Sequence, residues 1–263
     1  MKEVRMKRRF ASMAAMFLAM WLLSDAAAAG TNAVLWVNIG SNSGLFAFDW
    51  ESAGVKGLNL AGSPRSMRRG IAILKSRRRE VAGGAYVMIP ICLFSSVVPE
   101  SYDLRSSAAS HPLLPFDGMP DEKAMAGFAG LLDRGWKKEF SIHDYADPMT
   151  ETNRAAYSAN VARMRAFLGW CRQEGLRPVF VLPPAAKCLR DLFPDSFMKA
   201  YVYDFIRDVT DGTGVKFLDY WHDAEFQDER LYATSLFLNR TGRRRFTKKV
   251  IGDCIMKSNG DVK

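Results

Sequence analysis

The run Tyr86-Val-Met-Ile-Pro-Ile-Cys-Leu-Phe94 carries no charge and no alternation of polar with apolar residues. A strand with one wet face alternates, whereas a strand apolar on both faces needs cover on both, the situation of a parallel sheet between two helical layers. With this run as the third strand, four others fall into place at Ala33–Ile39, Lys56–Ala61, Pro178–Leu182 and Val215–Tyr220. Helical periodicity fills the intervals. Ser63 and Pro64 make a cap and first turn for a helix through Met67, Ile71, Ile73 and Leu74 to Arg77-Arg78-Arg79. Thr150 opens an amphipathic helix to Glu174, with Tyr157, Val161, Met164, Phe167 and Leu168 on one side and Gly175 as its stop. Further helices are expected at Asp195–Val209 and Gly242–Met256. Strand–helix alternation of this kind specifies an α/β fold, a three-layer α/β/α sandwich with a mainly parallel five-stranded sheet. It would occupy residues 31–257, leaving 258–263 as a tail. Residues 95–148 break the pattern with scattered Pro, Gly, Asp and His, and read as an irregular insertion holding one short helix near Asp121–Leu132. Open parallel sheets bind ligands at the C-terminal ends of their strands, which directs attention to loops 40–45, 62–65, 93–100, 183–188 and 221–241.

The first residues follow another logic. Lys2, Arg5, Lys7, Arg8 and Arg9 precede an uncharged, largely apolar run from Phe10 to Leu23, which is followed by Ala26–Ala29. A basic start, a short apolar centre and an A-x-A end describe a secretory signal peptide over residues 1–29, and the expected location is outside the cytoplasm. Fourteen residues are short of the ~20 that span a bilayer. The alternative is a retained signal anchor, with membrane contact confined to residues 10–23. Cleavage after Ala29 removes five basic and two acidic residues and lowers the formal charge from +9 to +6. The remaining excess lies in Arg65/Arg68/Arg69, Lys75/Arg77/Arg78/Arg79 and Arg243/Arg244/Arg245/Lys248/Lys249. On helices such runs form a solvated face. If they have a partner, an anionic glycan or lipid headgroup suits an exported chain, and no nucleic-acid module is present. Cys92, Cys171, Cys188 and Cys254 form no C-x-x-C and have no His at metal-ligand spacing, so neither a metal nor any cofactor is called for. Four cysteines allow three disulfide pairings, while Cys92 and Cys254 sit in apolar stretches suited to plain packing.

The segment Val37-Asn-Ile-Gly-Ser-Asn-Ser-Gly-Leu-Phe-Ala-Phe-Asp49 resembles the first block of a bacterial, polysaccharide-associated branch of the SGNH/GDSL hydrolases. Leu58–Ser63 and Val87–Ser95 are similar to its second and third blocks. Lys216–Asp223 followed by Leu238–Thr247 resembles its last, so that the likeness spans most of residues 33–256. The resemblance implies a flavodoxin-like strand order and acyl-ester hydrolysis or transfer: a Ser after the first strand attacks, a His near the C-terminus takes its proton, and a nearby Asp orients that His. A hydroxyl is a poor nucleophile without such an oriented base. Carried over position by position, the family's G-S-S-H becomes Gly40-Ser41-Asn42-Ser43, with Asn42 in the nucleophile's place. Its D-S-D-H-L-N becomes Thr234-Ser235-Leu236-Phe237-Leu238-Asn239, with Phe237 for the base and Thr234 and Leu236 for the acid. Leu238, Asn239, Gly242, Phe246 and Thr247 remain. The groups that position the last helix are kept and those that move protons are gone.

The leading expectation is therefore a non-catalytic member that binds cell-surface polysaccharide or its acyl groups, through a small polar pocket of Gly40, Asn42, Gly62, Ser63 and Asn239. The alternative is a working esterase or O-acyltransferase in which Ser41 or Ser43 is activated by His222, the one histidine beside a strand end. A third reading is a degraded copy without activity. In the blander account Ser41 and Ser43 are turn and cap hydroxyls and His222 packs or caps beside Asp223. His111 and His143 read as surface residues. Trp36, Trp50, Trp136, Trp170 and Trp221 are candidates for a sugar-stacking platform, with Trp36 and Trp170 better suited to the core.

Overall fold

The computed structural model describes residues 33–62, 66–99 and 121–256. The expected signal segment, Ser63-Pro64-Arg65, His111 and the tail lie outside the described residues. Five strands, β1 (Val34–Asn38), β2 (Gly57–Asn59), β3 (Val81–Pro90), β4 (Arg177–Leu182) and β5 (Lys216–Asp219), form one sheet in the order β2-β1-β3-β4-β5. Every pairing is parallel. This is the flavodoxin-like order, whose direction reverses between β1 and β3. The helices are α1 (Asn42–Ala47), α2 (Trp50–Ala53), α3 (Met67–Ser76), α4 (Glu122–Glu139), α5 (Glu151–Gln173), α6 (Lys187–Arg190) and α8 (Arg240–Met256). A continuous helix α7 runs as Asp195–Phe197, a π-helical Met198–Tyr203 and Asp204–Thr210.

The strands alternate between two cores, as a sheet covered on both faces must. Val87 and Ile89 of β3 and Phe180 and Leu182 of β4 face α3, α5 and α7, where Ile71, Leu74, Phe167 and Phe205 meet them. Met88, Val179, Val181 and Leu218 face the other way, onto Trp50 of α2 and Phe246, Val250 and Cys254 of α8. Phe94 is the aromatic hub of the first core, stacked on Phe140 at 4.5 Å and edge-on to Phe197 at 5.4 Å.

Several boundaries differ from expectation for visible reasons. β3 starts five residues early and ends at Pro90. The ladder's last bond is from the Ile91 amide to the Val181 carbonyl, after which the Cys92 amide turns to the Ser95 hydroxyl at 2.8 Å. The apolar run thus continues past the strand because Leu93 and Phe94 plug the core rather than pair. The cap of α3 is Ser66, whose hydroxyl accepts from the Arg69 amide, and not Ser63. The short helix expected near 121–132 is α4, eighteen residues long and capped by Asp121. Thr150 caps α5 as expected, and Gly175 follows it at φ +66°. All four cysteines are free, with Cys171 and Cys254 buried and Cys92 and Cys188 half-buried.

Candidate functional site

The sheet's C-terminal edge is open between β1 and β3. Gly40, at φ +114°, turns the chain off β1 in a conformation that L side chains rarely adopt. Ser41 then takes the N-cap position of α1 without a side-chain cap bond, its carbonyl accepting from the Gly44 and Leu45 amides. Ser41, Asn42 and Ser43 enter a cleft of about 110 Å³. Its opposite walls are Met67 and Arg68 from the start of α3, Cys92, Phe94 and Ser95 after β3, and Asn160 and Arg163 from α5. Trp136 and Glu139 of α4 close the outer side. Ser43, Cys92 and Leu236 are shared with a smaller, apolar notch of about 30 Å³, bounded by Phe46, Pro183, Pro184, Trp221 and Phe237. Four of the five loops singled out in the sequence thus contribute to two adjoining cavities.

Polar groups along the cleft are held in different ways. The Ser95 hydroxyl donates to the Cys92 Sγ at 3.2 Å, and the Asn160 side-chain amide donates to the Ser96 and Val98 carbonyls. Arg163 donates to Asn160 Oδ1. The Asn42 Oδ1 atom is shielded from solvent and has no hydrogen-bond partner among the described residues. An acceptor so placed costs stability unless something donates to it.

The other expected site residues lie elsewhere. The Gly62 amide donates to the Gly40 carbonyl at 3.1 Å, and neither glycine lines the cleft. Asn239 is a helix cap: its Oδ1 accepts from the Gly242 amide at 3.0 Å and its Nδ2 donates to the Arg230 carbonyl at 2.7 Å. Gly242 presses so closely on the last turn of that loop that a Cβ there would lie 2.2 Å from the Leu231 carbonyl oxygen. His222 is exposed and lines neither cavity. Phe237 stands on a tight loop pinned by Thr234, whose hydroxyl accepts from the Leu236 and Phe237 amides. Its ring packs on Phe46 at 4.7 Å. No imidazole and no Asp are among the described residues lining either cavity; Glu139 is the carboxyl present, and it has a partner of its own. No group of three His, Cys, Asp or Glu side chains able to hold a metal occurs among the described residues. Of the tryptophans, Trp36, Trp50 and Trp221 are buried, and half-buried Trp136 lines the cleft.

The sequence reading missed a buried network next to the site. The fully buried Asn38 on β1 donates through Nδ2 to the Gly44 carbonyl at 3.0 Å and to Asn59 Oδ1 at 2.8 Å. Its Oδ1 accepts from Trp50 Nε1 at 2.8 Å. Asn59 in turn donates to the Leu45 carbonyl. These bonds fix α1 and α2 against β1 and β2 and so set where residues 41–43 stand. The signal available was an Asn inside an otherwise apolar strand. No family model matches the chain, and no curated protein matches it in sequence.

Proposed function

We propose that this is an exported SGNH-like protein without hydrolytic chemistry, which holds an acylated glycan or a related carbonyl-bearing ligand in the cleft at the β1/β3 edge. The observation that carries the reading is Phe237, packed on Phe46 in the loop that would have to present the base to Ser41–Ser43. A serine there has no group among the described lining residues to take its proton, apart from the already engaged Glu139. What the cleft does supply is a set of hydroxyls, the unpartnered Asn42 acceptor and the flank of Trp136 beside an apolar notch. Such a mixture of few polar groups and apolar walls orients a small ligand. A turn of the Asn42 side chain would bring its shielded, unpartnered Oδ1 to a sugar hydroxyl in the cleft, and the notch between Phe46 and Phe237 suits a short acyl group.

The test uses residues 30–263 with a fluorophosphonate probe, followed by intact mass and peptide mapping. No adduct on Ser41 or Ser43 is expected from folded protein. A stoichiometric adduct, lost in His222→Ala, would establish instead an esterase with a relocated base. Titration with matched O-acetylated and de-acetylated oligosaccharides, read by protein NMR, should give acetyl-dependent shifts around Asn42 and Trp136. Absence of any shift, with no adduct, would leave the degraded-copy reading.

A further inference from the structure

We infer that the outward face of α8 is a docking surface for an anionic lipid bilayer, a function separate from the cleft. α8 carries six basic residues, Arg240, Arg243, Arg244, Arg245, Lys248 and Lys249, and one acid, Asp253. Asp253 is turned inward and accepts from the Tyr220 hydroxyl at 2.7 Å. Lys249 is neutralised by Glu225 at 2.7 Å and Asp223 at 3.6 Å, while Arg245 reaches Glu225 only at 3.9 Å. Arg240, Arg244 and Lys248 are exposed and make no ion pair among the described residues. Their spacing of four residues sets them along one ridge about 12 Å long.

The placement runs against helix electrostatics. The N-terminal end of a helix is partially positive and favours acids. α4 and α5 obey this, with Glu122 and Glu151 in their first turns and Lys137, Lys138 and Arg172 in their last. α8 has no acid in its first turn and no base in its last. Asp223 and Glu225 answer Lys249 and Arg245, whereas Arg240, Arg244 and Lys248 stand toward solvent without an ion pair among the described residues.

The shape of the surface selects the occupant. The ridge is a convex helix face, not a groove. Large hydrophobic side chains exposed among the described residues are Leu131, on α4, and Met256, at the end of α8. Single-stranded nucleic acids are held by aromatic platforms as well as charge, and the face of α8 offers none. A planar anionic bilayer needs only a density of cations within a Debye length, with each basic residue contributing about fivefold to partitioning. Met256 supplies one apolar contact at the ridge's end.

Residues 30–263 contain every described element, and the experiment measures their co-sedimentation with vesicles of phosphatidylcholine alone and of phosphatidylcholine mixed with phosphatidylglycerol. Binding is expected only to the mixed vesicles and should weaken with salt. The triple variant Arg240→Gln/Arg244→Gln/Lys248→Gln should lose about a hundredfold in partitioning. The charge-matched control Arg69→Gln/Arg79→Gln/Arg172→Gln alters exposed residues of the α3 and α5 side and should change it less than about threefold. Circular dichroism confirms the folding of both. Equal losses in the two variants would reduce the effect to net charge and overturn the surface. So would failure of the parent to bind the mixed vesicles, or binding by α8 to polygalacturonate or an oligodeoxynucleotide in their place.

Discussion

Two polar clusters lie side by side on the β1 edge and are built on opposite terms. Around Asn38 every side-chain group is answered: its amide and carbonyl, the Trp50 indole N–H and the Asn59 amide all have partners at 2.8–3.3 Å. Four residues further along, Asn42 has a shielded acceptor with no partner among the described residues, at the wall of a cleft. Satisfied buried polar groups specify a structure, and an unsatisfied one is tolerated only where something else is gained. The comparison separates an asparagine whose every group is spent in the fold from one whose acceptor is left unanswered at the cleft wall, although the two share a sequence neighbourhood and a residue type.

The sharpest way to break the comparison is Asn38→Leu. It strands the Trp50 indole and the Gly44 carbonyl in the interior, and urea unfolding should show a loss of about 3–4 kcal/mol. Next comes Gly242→Ala, whose methyl would meet the Leu231 carbonyl oxygen and push the start of α8 off its loop; about 2–3 kcal/mol is expected in the same assay. If Gly242→Ala cost nothing, the packing of α8 against this loop would be wrong.

A pH titration tests the buried titratable groups as a class. Burial raises the Cys171 thiol from its ordinary value of 9 to about 12, and burial likewise raises the Tyr220 and Tyr232 phenols. The folded state therefore keeps protons that the unfolded chain releases. Stability from Cys171 is fully present below pH 9 and is lost between pH 9 and about 12, at up to about 1.4 kcal/mol per pH unit. Thermal melts that stay flat from pH 8 to 11 would contradict this burial. The smallest effect belongs to Asn42→Leu, which removes an unpartnered acceptor and should change stability by less than about 1 kcal/mol in either direction. It should nonetheless abolish the acetyl-dependent shifts. A large destabilisation would show that Asn42 is structural after all and erase its contrast with Asn38.

The layered fold was legible in the chain because burial on two faces leaves an uninterrupted apolar run, and Tyr86–Phe94 is such a run. Its end was not legible, since Leu93 and Phe94 are as apolar in a core-filling turn as in a strand. The central π-helical stretch of α7 was hidden for the same reason, because Met198–Tyr203 has the composition of an ordinary helix. Of the candidate site, the loop positions were readable from strand order, and Ser41, Asn42 and Ser43 do line the cleft. Asn239 and Gly62 were not distinguishable from ligand groups until their hydrogen bonds to Gly242 and Gly40 were seen.

The sequence by itself determined the α/β layering, the parallel sheet and the edge on which a site could form, because periodicity and apolar runs are local consequences of burial. Only the tertiary structure decided which polar residues are spent inside the fold and which face the cleft. That choice depends on partners far apart in the chain: Asn38 with Asn59, Asn160 with Ser96, and Phe237 with Phe46. Hydrogen bonds and ring contacts at such separations leave no periodic trace in the sequence.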